Sequence, residues 1–270
     1  MDTILVIDVG NTNIVLGIYE GQTLRHHWRI ATVQERTVDE YGILLKQLFQ
    51  DRDFVPHHLQ GVVLSSVVPP LMTTLEETCQ TYFGLSPLVV GAGLDTGLVI
   101  DYDNPQEVGA DRIVNAVAGV AMYGPPLIIV DFGTATTFCV IDEKGHYKGG
   151  VIAPGIQIST NALFQRASKL PRIDLVRPSS VVGHNTVASM QSGVIFGFVG
   201  QVDGIVERIQ AEVPLPFQVI ATGGLSRLMR GESHTIQHFE PNLTLEGLRI
   251  LWQQNRPEQV PAGGLGFVDS

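Results

Sequence analysis

Two short segments carry the residue types that phosphate chemistry needs. Residues 4–20 read ILVIDVGNTNIVLGIYE and residues 127–143 read LIIVDFGTATTFCVIDE. In each, an apolar run ends in an aspartate, Asp8 or Asp131, followed by Gly10 or Gly133 and then by small hydroxyl or amide residues. A carboxylate at a strand end holds a hard cation, directly or through water. A glycine beside it admits an anion close to the backbone, and neighbouring N–H and hydroxyl groups donate to phosphate oxygens. One copy would read as an ordinary hairpin turn, where Asp, Gly and Asn are common. Two copies, aligned without a gap through the flanking strands, favour related half-domains facing each other across a nucleotide.

Other candidates admit two readings each. Gly109-Ala110-Asp111-Arg112 opens a helix, where the helix dipole stabilises an acid in the first turn by about 0.3–1 kcal/mol. Equally, Asp111 can accept a proton from a substrate hydroxyl while Arg112 steers an anion. Thr222-Gly223-Gly224 follows a strand, either as a tight turn or as a loop against which a nucleotide's sugar or adenine lies. In Gly183-His184-Asn185-Thr186, before a long helix, Asn or Thr is also a plain N-cap. His234 and His238 have a helical ligand spacing, but HTIQHF reads as a strand and no third ligand accompanies it, which argues against a metal there. Asp131-Phe-Gly and Asp111…Asn115 imitate protein-kinase motifs. The His-Arg before the loop aspartate is missing, its asparagine comes one residue early, and neither a kinase glycine-rich loop nor a Walker loop is present.

The elements that must position these residues follow from periodicity. Strands are predicted at 4–8, 14–20 and 23–30, with a tight turn at 20–22, then a helix over 38–49 from the spacing of Tyr41, Leu44, Leu45, Leu48 and Phe49. A buried strand at 61–67, a helix at 71–82 and a strand at 87–90 complete the first half. The second half repeats the order, with strands at 127–131, 136–142 and 146–152, helices after them, and a strand at 218–224 in the place of 61–67. A helix from about 110 to 122 links the halves, and the glycine-containing tail after Asn255 reads as loose. Strand, strand, strand, helix, strand, helix, strand, given twice, predicts an α/β chain of two ribonuclease-H-like half-domains, the actin and sugar-kinase architecture. The expected units are 1–110 and 111–270, with the nucleotide in the cleft between them. The long helix over 186–211 carries Gly193, Gly197, Gly200 and Gly204, each costing about 1 kcal/mol relative to Ala. Close approach of another backbone, inside the chain or in a second subunit, would offset that cost.

Composition narrows the class. The 270 residues are 44% hydrophobic and 16% charged, which supports a sizeable core. A net charge of −10 without a basic run argues against a nucleic-acid groove. Cys79 and Cys139 lie far apart with no CxxC spacing, which fits a reducing compartment. The Met-Asp-Thr start lacks a basic n-region, and no apolar stretch reaches the ~18–20 residues of a membrane span. A soluble cytoplasmic protein is expected.

Taken together, DVGNTN at 8–13, GLDTGLVIDYDNPQEVGADR at 93–112, DFGTATT at 131–137, GGVIAPG at 149–155, HNTVASMQSG at 184–193 and ATGG at 221–224 make the chain resemble the type III pantothenate kinases. These are bacterial enzymes that open coenzyme A synthesis by phosphorylating pantothenate with MgATP. The resemblance implies that Asp8, Val9, Gly10, Asn11, Thr12, Asn13, Ile14 and Val15 form the ATP phosphate loop and that Thr134 touches ATP. It implies that Tyr102, Gly109, Ala110, Asp111, Arg112 and Thr186 bind pantothenate, with Asp111 the proton acceptor. Asp131 is then the ligand of a monovalent cation, K⁺ or NH₄⁺. A cytoplasmic homodimer with its pantothenate pocket near the subunit interface is also implied. His184 stands where a basic residue, often Lys, is expected. Rival readings are a kinase for another small acceptor, a polyphosphate hydrolase, or a regulator that keeps the nucleotide fold as a binding module.

Overall fold

Alternating apolar runs and tight turns build two five-stranded sheets in the computed structural model, which describes residues 2–91 and 93–256. The tail expected to be loose lies almost wholly outside the described residues. In the first half, β1 (Thr3–Val9), β2 (Asn13–Glu20) and β3 (Thr23–Ala31) form an antiparallel meander. Helix α1 (Val38–Gln50) follows, started by a capping box in which Thr37 and Glu40 satisfy each other's backbone N–H. Next come β4 (Gly61–Ser66), α2 (Met72–Phe83), β5 (Leu88–Val89) and α3 (Ala110–Tyr123). The sheet order is β3-β2-β1-β4-β5, with β4 parallel to β1.

The second half supplies β6 (Leu127–Phe132), β7 (Ala135–Ile141), β8 (Tyr147–Pro154), α4 (Ile156–Arg166), α5 (Thr186–Glu212), β9 (Gln218–Thr222), β10 (His238–Phe239) and α6 (Leu243–Asn255). Its order, β10-β9-β6-β7-β8, is the mirror listing of the first, and β9 is parallel to β6 as β4 is to β1. The internal duplication therefore holds at the level of topology, with two departures from the expected pattern. Two helices precede β9, and only a 3-10 turn at Ser226–Met229 separates β9 from β10. The segment HTIQHF is strand only at its last two residues.

The gapless alignment of the two hairpins also fails by one residue. Asp8 pairs with Val15, seven positions on, whereas Asp131 pairs with Thr137, six positions on. Because strand side chains alternate faces, a one-residue difference has to be absorbed in the loop. The first loop, Gly10–Thr12, is one residue longer than the second, Gly133–Thr134.

Each sheet has an outer and an inner core. The outer face of the first sheet buries Leu5, Ile7, Leu16 and Trp28 against α1 and α2 residues Leu45, Phe49, Leu75 and Cys79. The second sheet's outer face buries Val130, Phe132 and Phe138 against α5. The inner faces share α3. Its Val114 and Val117 pack with Ile4, Val6 and Leu248 of α6, while its Ala116 and Ala118 pack with Ile129, Ile141 and Ile220. Helices α3 and α6 cross closely, because Gly247 presents no side chain to α3. A Cβ there would overlap the Val114 carbonyl oxygen and sit 2.7 Å from Val114 Cγ1. Gly247→Ala is expected to cost about 1–3 kcal/mol through overpacking against a rigid backbone. Thermal denaturation at constant pH checks this, and an unchanged Tm would refute the close-packing account.

The glycines of α5 behave differently. Gly193, Gly197 and Gly200 are exposed, and no described atom lies within 4 Å of a Cβ built on any of them. The intrachain partner envisaged for this face is absent among the described residues. No described helix is long and apolar enough to cross a membrane.

Candidate active site

Strand register lines up a row of side chains across the inner face of each sheet. In the first, Arg29 of β3 faces Val15 of β2, which faces Asp8 of β1, which faces Ser65 of β4. In the second, the row is Ile152, Thr137, Asp131 and Thr222. Directly opposed residues share a face, so Asp8 and Asp131 both point toward α3. The first turn of α3 lies at this same end. A Cβ on Gly109 would sit 3.7 Å from Val67 Cγ1, and Val67 N–H donates to the Val9 carbonyl at 3.0 Å. Asp111 thus meets the two hairpin aspartates from the helix between the sheets.

The electrostatics record that convergence. Burial pushes the Asp8 carboxyl up to about 7, and the charges of Asp111 and Asp131 add to the shift. Asp131 is likewise pushed up to about 7, by burial first and by Asp111 second. Asp111 is raised by burial, against the pull of its bond from the Arg112 N–H, 2.9 Å long. Arg29 draws both hairpin carboxyls back down. So does Ser65 for Asp8, although its Oγ is buried and outside good hydrogen-bond geometry. Asn115, one turn beyond Asp111, donates its Nδ2–H to Asp131 Oδ2 at 3.0 Å, and Thr244 Oγ1–H donates to Asn115 Oδ1 at 2.8 Å.

The loops face each other across the cleft. Thr12 Oγ1 and Thr134 Oγ1 lie 3.0 Å apart, joining the two hairpin tips. The first loop is held by Thr32, whose hydroxyl donates to Gly10 O at 2.6 Å and whose N–H donates to Thr12 O at 3.0 Å. Val9 and Ile14 are buried in the outer core, so only their backbone faces the loop, while Asn11 and Thr12 are exposed and Asn13 is partly so. Gly223, at φ +89°, lies where a Cβ would overlap Asp131 Oδ1 and come within 2.7 Å of the Phe132 backbone. The Thr222-Gly223-Gly224 turn is therefore built into the floor of the site.

Beside the carboxylates is a second cluster. The Arg112 guanidinium is 8% exposed and stands 5.7 Å above the Tyr147 ring, with its Nε buried and unpartnered. Tyr102 packs edge-on against the same ring at 6.4 Å and reaches Gly149. Tyr147 thereby brings Tyr102 and the Gly109–Arg112 turn together. Thr186 stands apart: with His184, Asn185, Ser159, Leu163 and Phe198 it lines a cavity of about 700 Å³ between α4 and α5 that contains none of the three aspartates. His234 and His238 are also separate. His234 bridges Asp203 and Glu207 at 2.9 Å each, and His238 Nε2 meets Gln218 Oε1 at 3.2 Å.

No group of three His, Cys, Asp or Glu side chains among the described residues is disposed to hold a metal unaided. A divalent ion here would take most of its ligands from phosphate and water, which suits three carboxylates set around an anion site. Sequence reasoning did not single out Arg29, Ser65 or Tyr147, and noticed Asn115 only as a false kinase motif. The spacing of Asn115 from Asp111, four residues on one helix face, was the available signal for it.

Comparison with known proteins identifies the family and the fold. The profile described as type III pantothenate kinase matches residues 4–208. A type III pantothenate kinase of Geobacillus kaustophilus (strain HTA426) is 57% identical over 252 residues, covering 93% of this chain and 98% of that protein. Among solved structures, a Baf family protein of Campylobacter jejuni superposes with a TM-score of 0.59 at 17% identity, over 93% of this chain and 98% of that one. An inorganic polyphosphate/ATP-glucomannokinase of an Arthrobacter species (strain KM) superposes with a TM-score of 0.50 at 12% identity, over 94% of this chain and 100% of that one. At those identities the structural likeness concerns the fold, which is the two-lobed actin and sugar-kinase architecture. With a family profile spanning the hairpins, the Gly109–Arg112 turn and most of α5, and a relative 57% identical over nearly its whole length, the chain belongs to the type III pantothenate kinase family.

Proposed function

We propose that this chain transfers the γ-phosphoryl group of ATP to the primary hydroxyl of pantothenate, giving 4′-phosphopantothenate and ADP, the opening step of coenzyme A biosynthesis. The observation that carries the reading is the meeting of Asp8, Asp131 and Asp111 beneath two facing glycine hairpins, in a chain of this family. In the reaction the hydroxyl oxygen forms a bond to the γ-phosphorus. The bond from that phosphorus to the β–γ bridging oxygen breaks, its electron pair stays on ADP, and the hydroxyl proton passes to the Asp111 carboxylate. Phosphoryl transfer gains most from positioning and charge stabilisation. Donors of the 10–13 turn, apart from Gly10 N–H, which already donates to Asn13 O, and the Thr134 hydroxyl would hold β- and γ-phosphate oxygens. Asp8 would be the residue that holds Mg²⁺, by way of water, and the ion would supply charge neutralisation to the phosphates. Asp131 Oδ1 and the buried, unpartnered Thr222 Oγ1 opposite it are two oxygens suited to K⁺ or NH₄⁺.

Arg112 and Tyr102, held over Tyr147, would receive the pantothenate carboxylate end, with Gly109 and Ala110 lining the turn beside Asp111. Thr186 lies in its own cavity, so its contact with pantothenate would come from the edge of the site or from a second subunit. The open Gly193, Gly197 and Gly200 face of α5 supports a homodimer in which another helix approaches closely. Gly197→Gln is expected to convert the dimer to monomer in size-exclusion chromatography with light scattering, and a wild-type monomer would remove the dimer from the reading. Residues 1–110 and 111–270 would be the two working halves, the boundary falling at the start of α3, which packs with α6 against both inner sheet faces. Two buried free thiols, Cys79 and Cys139, fit a cytoplasmic setting.

The test is mass spectrometry of pantothenate incubated with the protein, MgATP and either K⁺ or Na⁺. A gain of one phosphate that depends on K⁺ is expected. A failure to modify pantothenate, with another small alcohol phosphorylated in its place, would overturn the acceptor assignment.

A further inference from the structure

Arg29 is a second cation at this site besides Arg112, and neither its sequence neighbours nor the family motifs single it out. Strand β3 places it in the row Arg29–Val15–Asp8–Ser65, two strands or about 10 Å from Asp8 across the sheet. Its side chain extends out of the first sheet to the turn after β9 of the second. A Cβ on Gly224 would lie 2.6 Å from Arg29 Nη1, so the guanidinium rests against that turn because the turn has no side chain there. The residue is exposed and makes no ion pair within 4 Å among the described residues, although both hairpin carboxylates feel its charge. The matching row of the second sheet has Ile152 in this place, 63% exposed, so the cation enters the cleft from one side only.

A planar guanidinium with free donors, spanning the mouth of a cleft lined by carboxylates, is the geometry for clamping a phosphoryl group. We propose that Arg29 is a further catalytic residue, which contacts the terminal phosphoryl group of ATP and ties closure of the two halves to its presence. The proposal rests on the reading that the twin hairpins hold the phosphate chain. Arg29 takes no part in the proton's path, which runs from the acceptor hydroxyl to Asp111. It offsets the negative charge on the equatorial oxygens as the bridging bond to ADP breaks.

The experiment measures steady-state kinetics in ATP, together with equilibrium affinities for ADP and for a non-hydrolysable ATP analogue. Wild type, Arg29→Ala and Arg29→Lys are compared, with Asp8→Asn as a control. Arg29→Ala is expected to lower kcat/KM for ATP by about 100- to 1,000-fold. The analogue's affinity should drop at least tenfold more than that of ADP, a selectivity that a merely structural arginine would not produce. Arg29→Lys, which keeps the charge on an exposed site, carries the same comparison should the alanine variant fold poorly. A kcat/KM within about threefold of wild type, or equal losses for ADP and the analogue, would overturn the assignment. If Asp8→Asn also leaves nucleotide affinity and turnover untouched, the fault lies in the hairpin reading itself and not in Arg29 alone.

Discussion

Asp111→Asn is expected to lower kcat by about 100- to 10,000-fold while ATP affinity stays within a few-fold of the wild type. The substitution keeps the size of the side chain and removes its ability to take a proton. Asp111 sits in the first turn of α3, and its carboxyl receives the Arg112 N–H at 2.9 Å, an acceptor role that the amide oxygen of asparagine can keep. The turn should therefore persist, and with it the packed cluster of Arg112, Tyr147 and Tyr102. On the proposed reading the nucleotide is held by the hairpins, whose tips meet through Thr12 and Thr134 without involving Asp111. Removing one of three mutually repelling carboxylates should if anything ease ATP entry. Single-turnover kinetics with separately measured ATP affinity decide the matter. Unchanged turnover would remove Asp111 as the base.

Asp8→Asn is expected to abolish most activity and at the same time stabilise the nucleotide-free protein at alkaline pH. Burial and two neighbouring carboxylates raise Asp8 from 3.8 to about 7 in the folded state. Between those two values the folded chain binds more protons than the unfolded one, so stability falls as pH rises through this window. Above about pH 7 the full charge repulsion is present, and asparagine relieves it. A half-buried site screened by solvent should return about 1–3 kcal/mol, or roughly 2–4 °C of Tm per kcal/mol for a chain of this size. The gain should be clear at pH 8 and small at pH 4, in chelator and without nucleotide. A lower Tm for the variant at pH 8 would contradict the raised Asp8. The same charge crowding would favour a cation at this site: the three carboxylates outnumber the two guanidinium groups, Arg29 and Arg112, that act on them. Function and apo-stability pull in opposite directions here.

Much of this protein is local in origin and was legible in the chain. The twin Asp-x-Gly segments, the strand runs around them, the apolar stripe of α1, the extents of α3 and α5, and the family motifs all depend on residues near one another in sequence. Periodicity and cap chemistry act over a few residues, so a linear reading captures them. What the linear reading could not fix was which residues stand opposite each other. Counting back from the two-residue turn at Gly21-Gln22 would set Val15 against Trp28. A bulge between Ile18 and Tyr19 skips Arg25, so Val15 meets Arg29, and Trp28 turns to the outer core. The same kind of offset, one residue in a loop, separates the two hairpins that look identical in the alignment. The replacement of an expected helix by the 3-10 turn at Ser226–Met229 likewise had no local signature. The glycines of α5 marked a face suited to close approach without naming what approaches, and the folded chain leaves that face open. Asp111 joins Asp8 and Asp131 because α3 is packed between two inner sheet faces, with valines toward one and alanines toward the other. Composition sets which faces are apolar, but hydrogen-bond register and the close crossing of α3 with α6 set what those faces bring together. Those contacts join residues from 7 positions apart, as Asp8 with Val15, to 133 apart, as Val114 with Gly247, and only the folded chain makes them.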